Sequence, residues 1–324
     1  MIDKTALAAR ISGCYVPIPT LFQDGDLELN LPGMRRHVEF LLDGGVREGR
    51  AAILVCGGAG EFGTLSVDER LRCAAEVRKA VDGKVGVILG VQTTNQRDLI
   101  ELVQGAERLG CLAVQASAPF YELPTEEDVI EWLRVIADHA DVGIVFYATP
   151  WTGFHSSLEF VARLVEARNV VAIKWYSPDR YLFERAMRDY SKRIMFIDNS
   201  LQYVFSHALG ARGINLHVSN YWPQWGQRLW ELLEAERYGE AQREMTRVVQ
   251  PFYDLSREIS KYTGGEGHID KLCLEYVGLD GGRCRPPTRD VRSLFGAKVW
   301  QMAEQCGVPR IAGERSKPAP AHFS

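Results

Sequence analysis

The chain predicts a closed (β/α)8 barrel followed by additional helices, and three observations lead to that class. Short apolar runs recur eight times, and segments with helical spacing and recognisable caps lie between most of them. No G-x-G-x-x-G follows the first run, which speaks against a dinucleotide-binding open sheet. Eight strand–helix units in about 200–250 residues is the size of a closed barrel. A doubly wound open sheet is the competing arrangement.

The runs are Cys14–Ile18, Ala51–Cys56, Val85–Leu89, Leu112–Ala116, Gly143–Tyr147, Val170–Lys174, Ile194–Asp198 and Gly213–Val218. Short β-rich apolar runs of this kind read as buried parallel strands. Between them, Ser66 with Glu69 and Ser156 with Glu159 have the spacing of a capping box. Gly44, Gly83 and Gly110 close helical segments. After about residue 225 the pattern changes. Leu229–Val249, Pro251–Tyr262 and Asp270–Val277 read as helices without intervening strands, packed beside the barrel and offering surface for an oligomer. The expected organisation is a barrel over residues 1–226, a helical extension over 227–312, and a loose polar, Pro-rich tail over 313–324.

Of the 324 residues, 46% are hydrophobic and 25% charged, ordinary for a globular protein with a large core. A net charge of -4 gives no reason to expect nucleic acid or an anionic membrane as a partner. Seven cysteines (Cys14, Cys56, Cys73, Cys111, Cys273, Cys284 and Cys306) are scattered, and none forms C-x-x-C. Neither a zinc site nor a disulfide framework is indicated. The N-terminus lacks the apolar core of a signal peptide, and no apolar stretch is long enough to span a bilayer. A cytoplasmic protein is expected.

In such a barrel the chemistry sits where the strands end. Strand two runs into Gly57-Gly58-Ala59-Gly60-Glu61, and strand four into Pro119-Phe120-Tyr121. Strand five ends in Tyr147 and continues as Ala148-Thr149-Pro150-Trp151-Thr152-Gly153. Strand six delivers Lys174, followed by Trp175 and Tyr176. Strand seven ends in Asp198-Asn199, and strand eight in His217-Val218-Ser219-Asn220. A lysine at the exit of a buried strand can sit in a dry pocket, where the ammonium is costly and the neutral amine can attack a ketone. The plainer alternative is that Lys174 marks where the strand meets water. Glycines at 57, 58 and 60 let backbone N–H groups converge on an anion, or simply form a tight turn.

These residues, in this order, resemble the dihydrodipicolinate synthase / N-acetylneuraminate lyase family of Schiff-base aldolases. That family has a G-[TS]-T-G-E loop after strand two, a P-Y-Y-like motif after strand four, Y-N-x-P after strand five and I-K in strand six. Pro17-Ile18-Pro19-Thr20, Leu65-Ser66-Val67-Asp68-Glu69-Arg70 and Arg285-Pro286-Pro287 are similar to further segments of the family, so the resemblance spans about residues 12 to 295. It implies Lys174 as the Schiff-base lysine and Tyr147 as the tyrosine that moves protons beside it. It implies Gly57, Gly58, Ala59, Gly60 and Glu61 as the loop holding the substrate carboxylate. Tyr121 matches a tyrosine that, in the family, reaches into a neighbouring subunit's site. The resemblance also implies a homo-oligomer, a tetramer or dimer.

Departures from the pattern bear on the reaction. The synthases carry two threonines where this chain has Gly58 and Ala59, and an arginine after strand five that is missing here. A missing guanidinium removes a bidentate carboxylate clamp. Aromatics stand nearby: Trp151, Trp175, Tyr176, Tyr221, Trp222 and Trp225. Trp225 and Trp230 suit helix-to-barrel packing; Trp175 can point away from the interior, because alternate strand positions face opposite sides. Trp151 is expected at an aromatic mouth, with His217 and Asn220 hydrogen-bonding substrate hydroxyls. Asp198 suits either substrate binding or a helix cap.

The resulting expectation is a metal-independent lyase, without cofactor, acting on a 2-oxo acid. The reactions in view are aldol cleavage or condensation with pyruvate, and dehydration of a 2-keto-3-deoxy acid. Hydratase-aldolase action on an aryl-bearing 2-oxo acid and a non-catalytic barrel binding a keto or sugar acid are the alternatives. The seven histidines supply no evident ligand cluster for a metal-dependent aldolase.

Overall fold

The structure is a computed structural model that describes residues 2–311; the expected tail over 313–324 lies outside them. Eight short strands form the centre: β1 (Gly13–Pro17), β2 (Ala51–Val55), β3 (Gly86–Gly90), β4 (Ala113–Ser117), β5 (Gly143–Ala148), β6 (Val170–Trp175), β7 (Met195–Asp198) and β8 (Gly213–Asn215). Each pairs in parallel with its chain neighbour, and β8 returns to β1, closing the barrel. The eighth apolar run is only partly strand, because His217–Asn220 turns as a 3-10 helix over the mouth.

Helices alternate with the strands outside: α1 (Lys4–Ile11) precedes β1, and α2 (Leu31–Asp43), α3 (Val67–Val81), α4 (Gln96–Arg108), α5 (Glu126–His139), α6 (Leu158–Glu166), α7 (Arg180–Tyr190) and α8 (Tyr203–Ala208) link successive strands. Side-chain caps start most of them. Ser66 and Glu69 form the reciprocal capping box of α3. For α6 the cap is Ser157, whose hydroxyl accepts from the Phe160 amide at 3.0 Å, one residue beyond the expected Ser156.

The strand pleat sorts side chains into two cores. Tyr15, Ala52, Leu54, Ile88, Ala113, Val145, Ala172 and Ile197 fill the interior, while residues such as Val16, Ile53, Val114, Phe146, Ile173 and Phe196 pack beneath the helices. The register slips by one residue between β5 and β6, where Ile144 faces Val170 but Val145 faces Ala172. Val171 is therefore the extra residue of a bulge. Helix α1, which the sequence reading did not include, packs Ile11 and Leu7 on the interior cluster.

Beyond the barrel lie α9 (Pro223–Glu234), α10 (Tyr238–Glu244), α11 (Gln250–Ser260), α12 (Gly267–Val277) and α13 (Arg292–Cys306). The helix expected over Leu229–Val249 is in fact two. Glu236 adopts φ +55° and the Arg237 amide bonds back to the Leu232 carbonyl at 2.8 Å, which ends α9. A π-helical turn, Met245–Val249, then joins α10 to α11. Helix α9 is the outer helix that follows β8, so the boundary drawn between residues 226 and 227 cuts through it. No described helix is long and apolar enough to cross a membrane. The seven cysteines are free and buried.

Polar ties bind the C-terminal helices to the loop after β2. Lys271, fully buried on α12, donates to Glu61 at 2.5 Å and to the Arg283 carbonyl at 3.1 Å. The Arg285 amide donates to the other Glu61 oxygen at 2.9 Å, and its guanidinium grips Glu69 at 2.6 Å. Two motifs far apart in sequence, around Glu69 and Arg285, are thus one interaction. Removing one member of a buried pair strands the other charge. Lys271→Met is expected to cost about 3–5 kcal/mol in denaturant unfolding. Lys271→Met combined with Glu61→Gln should recover much of that loss, and an equal loss in both variants would show that the charge pair is not the cause.

Candidate active site

The pleat aims Ala172 and Lys174 into the barrel and Ile173 and Trp175 outward. Tyr147 lies beside Lys174 in the β5–β6 register. The lysine is 4% exposed, and its Nζ lies 4.6 Å from the Tyr147 ring centroid and 5.2 Å from that of Tyr15. Two aromatic faces therefore support the cation that burial opposes. Burial pushes the Lys174 amine down to about 8, with the Glu266 carboxylate pulling the other way. Burial also raises the Tyr147 phenol, the Glu266 charge adding to it, so Tyr147 is held as a proton-bearing hydroxyl. Its oxygen accepts from Asn199 Nδ2 at 3.2 Å.

These groups open into a cavity of about 490 Å³ at the C-terminal mouth. Gly58, Ala59, Tyr147, Trp151, Lys174 and His217 line it, so six of the eleven residues singled out from sequence come together there. No described atom accepts from the amides of Gly58 and Ala59. Trp151 stacks on Tyr176, centroids 5.7 Å apart and planes 11° from parallel.

The other five take different places. Gly57 and Gly60 are behind the lining, in the body of the loop. Glu61 is not in the cavity, because its carboxylate is occupied by Lys271 and the Arg285 amide. Asn220 is fully buried behind His217; its Nδ2 donates to the Pro17 carbonyl at 3.0 Å and to Asp270 at 3.1 Å. Tyr121 stands 89% exposed on the loop between β4 and α5, outside the lining.

Trp175 packs outward on Phe183 and Phe196, as strand alternation allows, and Trp225 is buried among helices as expected; Tyr221 is buried as well, so none of the three forms the mouth. The aromatic wall consists of Tyr147, Trp151, Tyr176, Phe252 and Tyr253. Asp198 caps the chain after β7, accepting from the Ser200 amide at 2.5 Å and from the Ser206 hydroxyl.

The extension supplies what sequence reasoning missed. Helix α11 contributes Phe252, Tyr253, Ser256 and Arg257, and the start of α12 brings Glu266 and Ile269. The run Gly264-Gly265-Glu266-Gly267 was the one available signal, a carboxylate on a backbone with little side-chain bulk. His217 donates from Nδ1 to Asp270 at 2.8 Å, leaving Nε2 for a ligand. Burial opposes the His217 cation, yet Asp270 outweighs it and its pKa is raised. No group of three or more metal-ligating side chains occurs among the described residues.

Fold and site together define a (β/α)8 barrel with a desolvated amine at its C-terminal mouth. The chain belongs to the dihydrodipicolinate synthetase family, which it matches over residues 10–305. It is 32% identical to the 4-hydroxy-tetrahydrodipicolinate synthase of Thermotoga petrophila, over 74% of this chain and 81% of that enzyme. It is 26% identical to the N-acetylneuraminate lyase of Clostridium perfringens, over 90% of this chain and 98% of that one. The crystal structure of dihydrodipicolinate synthase from Thermotoga maritima superposes with a TM-score of 0.80 at 26% identity, covering 92% of this chain and 99% of that one.

A lysine held near 8 inside the protein but ordinary when unfolded binds fewer protons folded than unfolded between the two values. It therefore destabilises the fold fully below pH 8, and less as pH rises toward 10. Lys174→Met is expected to raise stability at pH 7 by up to about 3 kcal/mol, with the gain shrinking above pH 8. Denaturant melts of both proteins at pH 7 and pH 10 check this, and a gain that grows with pH would overturn it.

Proposed function

We infer that the protein is a class I lyase acting on a 2-oxo acid through a Schiff base at Lys174. The observation that carries this reading is a lysine buried between two tyrosine rings with its amine pushed down to about 8. At that value roughly a tenth of the amine is neutral at pH 7, hundreds of times more than for an exposed lysine. The neutral nitrogen attacks the ketone, and the resulting iminium is the electron sink for breaking the neighbouring bond. Tyr147 donates a hydrogen bond to the oxygen leaving C2 and moves protons during cleavage. The substrate carboxylate is held by the open amides of Gly58 and Ala59. No metal enters this chemistry.

Pyruvate as substrate or product is the favoured form, through aldol cleavage or condensation. Dehydration of a 2-keto-3-deoxy acid competes with it, and the aromatic wall of Trp151, Tyr176, Phe252 and Tyr253 suits an aryl-bearing partner. The relatives' synthase reaction is not the one proposed, because Gly58 and Ala59 carry no hydroxyl and no arginine follows Pro150. We further propose a homo-oligomer, dimer or tetramer. Tyr121, Leu123 and Trp151 are exposed to 89%, 68% and 65% at the mouth, an apolar surface suited to a second copy. Light scattering should give at least twice the 36.4 kDa chain mass, and a monomer would remove this assignment.

The lyase reading is tested by intact-mass analysis after incubation with pyruvate and sodium borohydride. A reduced adduct mapping to Lys174, absent from Lys174→Ala, is expected. If the folded protein gives no adduct with pyruvate or longer 2-oxo acids, a non-catalytic keto-acid-binding barrel takes its place. Release of pyruvate from candidate substrates then separates aldol cleavage from dehydration.

A further inference from the structure

Glu266 is the only carboxylate among the described residues lining the cavity, and it shares that space with Lys174 and Tyr147. No described residue forms an ion pair or hydrogen bond with it, whereas Glu61 and Asp270 nearby are both engaged. Its position is built rather than incidental. Gly267 presses so closely on the β2 loop that a Cβ there would lie 2.4 Å from the Ala59 carbonyl oxygen. That contact fastens the start of α12 over the loop. At Gly58 a Cβ would lie 2.6 Å from Glu266 Oε2. The φ of Gly58 is not positive, so its backbone tolerates a side chain, and what fills the space is the Glu266 carboxylate. The glycine and the carboxylate are one feature.

We propose that Glu266 is a further catalytic residue, the proton shuttle for imine formation at Lys174. The inference deepens the Schiff-base reading and rests on it. In the first step a proton passes from the Lys174 ammonium to Glu266, which frees the amine. The neutral amine attacks C2; the N–C2 bond forms as the carbonyl π pair moves to oxygen, which takes the proton back from Glu266. The carboxylate then removes a proton from the adduct nitrogen, leaving a neutral carbinolamine. It returns that proton to the hydroxyl, the C2–O bond breaks and water leaves. Of the three ammonium protons, one remains on the iminium nitrogen and two depart in water, and Glu266 ends as it began. The phenol of Tyr147, held in its protonated form, donates a hydrogen bond to the departing oxygen but is a poor acceptor for this relay.

The test times adduct formation with pyruvate by borohydride quench and intact mass. Glu266→Gln keeps the shape and removes the base; trapping is expected to slow roughly 100-fold. Glu266→Ala should be equally slow and should recover in added formate, a recovery that a merely structural role would not produce. Gly58→Ala displaces the flexible carboxylate and also crowds the amides proposed to hold the substrate, so it is timed at saturating pyruvate; slow trapping is expected there too, and the variant serves if the Glu266 variants fail to fold. Trapping by Glu266→Gln or Gly58→Ala within twofold of wild type overturns the proposal and leaves the Schiff base intact. Slow trapping without formate recovery also overturns it. A wild-type protein that gives no adduct removes the Schiff-base reading and this one together.

Discussion

The site depends on one unpaired residue in β6. Val170 packs outward, and strict alternation from it would turn Ile173 and Trp175 into the barrel and Lys174 out beneath the helices. The bulge at Val171 reverses that order. Val171 and Ala172 both reach the interior, and from there Lys174 points inward while the Trp175 indole packs on Phe183 and Phe196. Closure of the sheet then matters energetically. With every strand paired and α1 packed on the interior cluster, water has no route to the amine from below, so desolvation acts on it in full.

The upper side is closed by different means. Helices α11 and α12 roof the mouth; residues such as Phe252, Ile259, Leu272 and Val277 pack into the outer core, and buried polar contacts add to that packing. Lys271 and Arg285 converge on Glu61 and Glu69, the two carboxylates flanking the short turn after β2. The same contacts position the β2 loop beneath Glu266. Roof and loop are thus coupled: a change at Lys271 loosens both together. His217 follows the same logic, since Asp270 sits in the first turn of α12 and orients an imidazole that belongs to the barrel.

The barrel was readable because its determinants are local. Eight apolar runs, capping residues such as Ser66, and the positions of Tyr147 and Lys174 at strand ends each follow from a few adjacent residues. What escaped depends on contacts across the chain. The bulge is a register property of two strands and leaves no mark in the β6 sequence. Glu61 reads as a loop carboxylate facing ligand until Lys271, 210 residues away, is seen to hold it. Tyr221 stands beside the strand ends in sequence, yet an aromatic there serves the outer core equally well. Arg257 lies on a helix and Glu266 just before one, and helical periodicity says which face is buried but not which neighbour receives it.

The departures from the family pattern gain a physical meaning in this light. A hydroxyl at Gly58 would have been a small, uncharged relay fixed to the loop. In its absence a carboxylate lies against the loop, from the residue just before a helix held by Lys271. A carboxylate differs from a hydroxyl in two respects that matter in a dry cavity. It carries charge, so it supports the Lys174 cation that burial opposes, and it is a stronger base than a hydroxyl, so it can hold a proton taken from an ammonium. On the proposed path the group that steadies the resting ammonium is also the group that takes its proton when the amine attacks, so one carboxylate serves both states of Lys174.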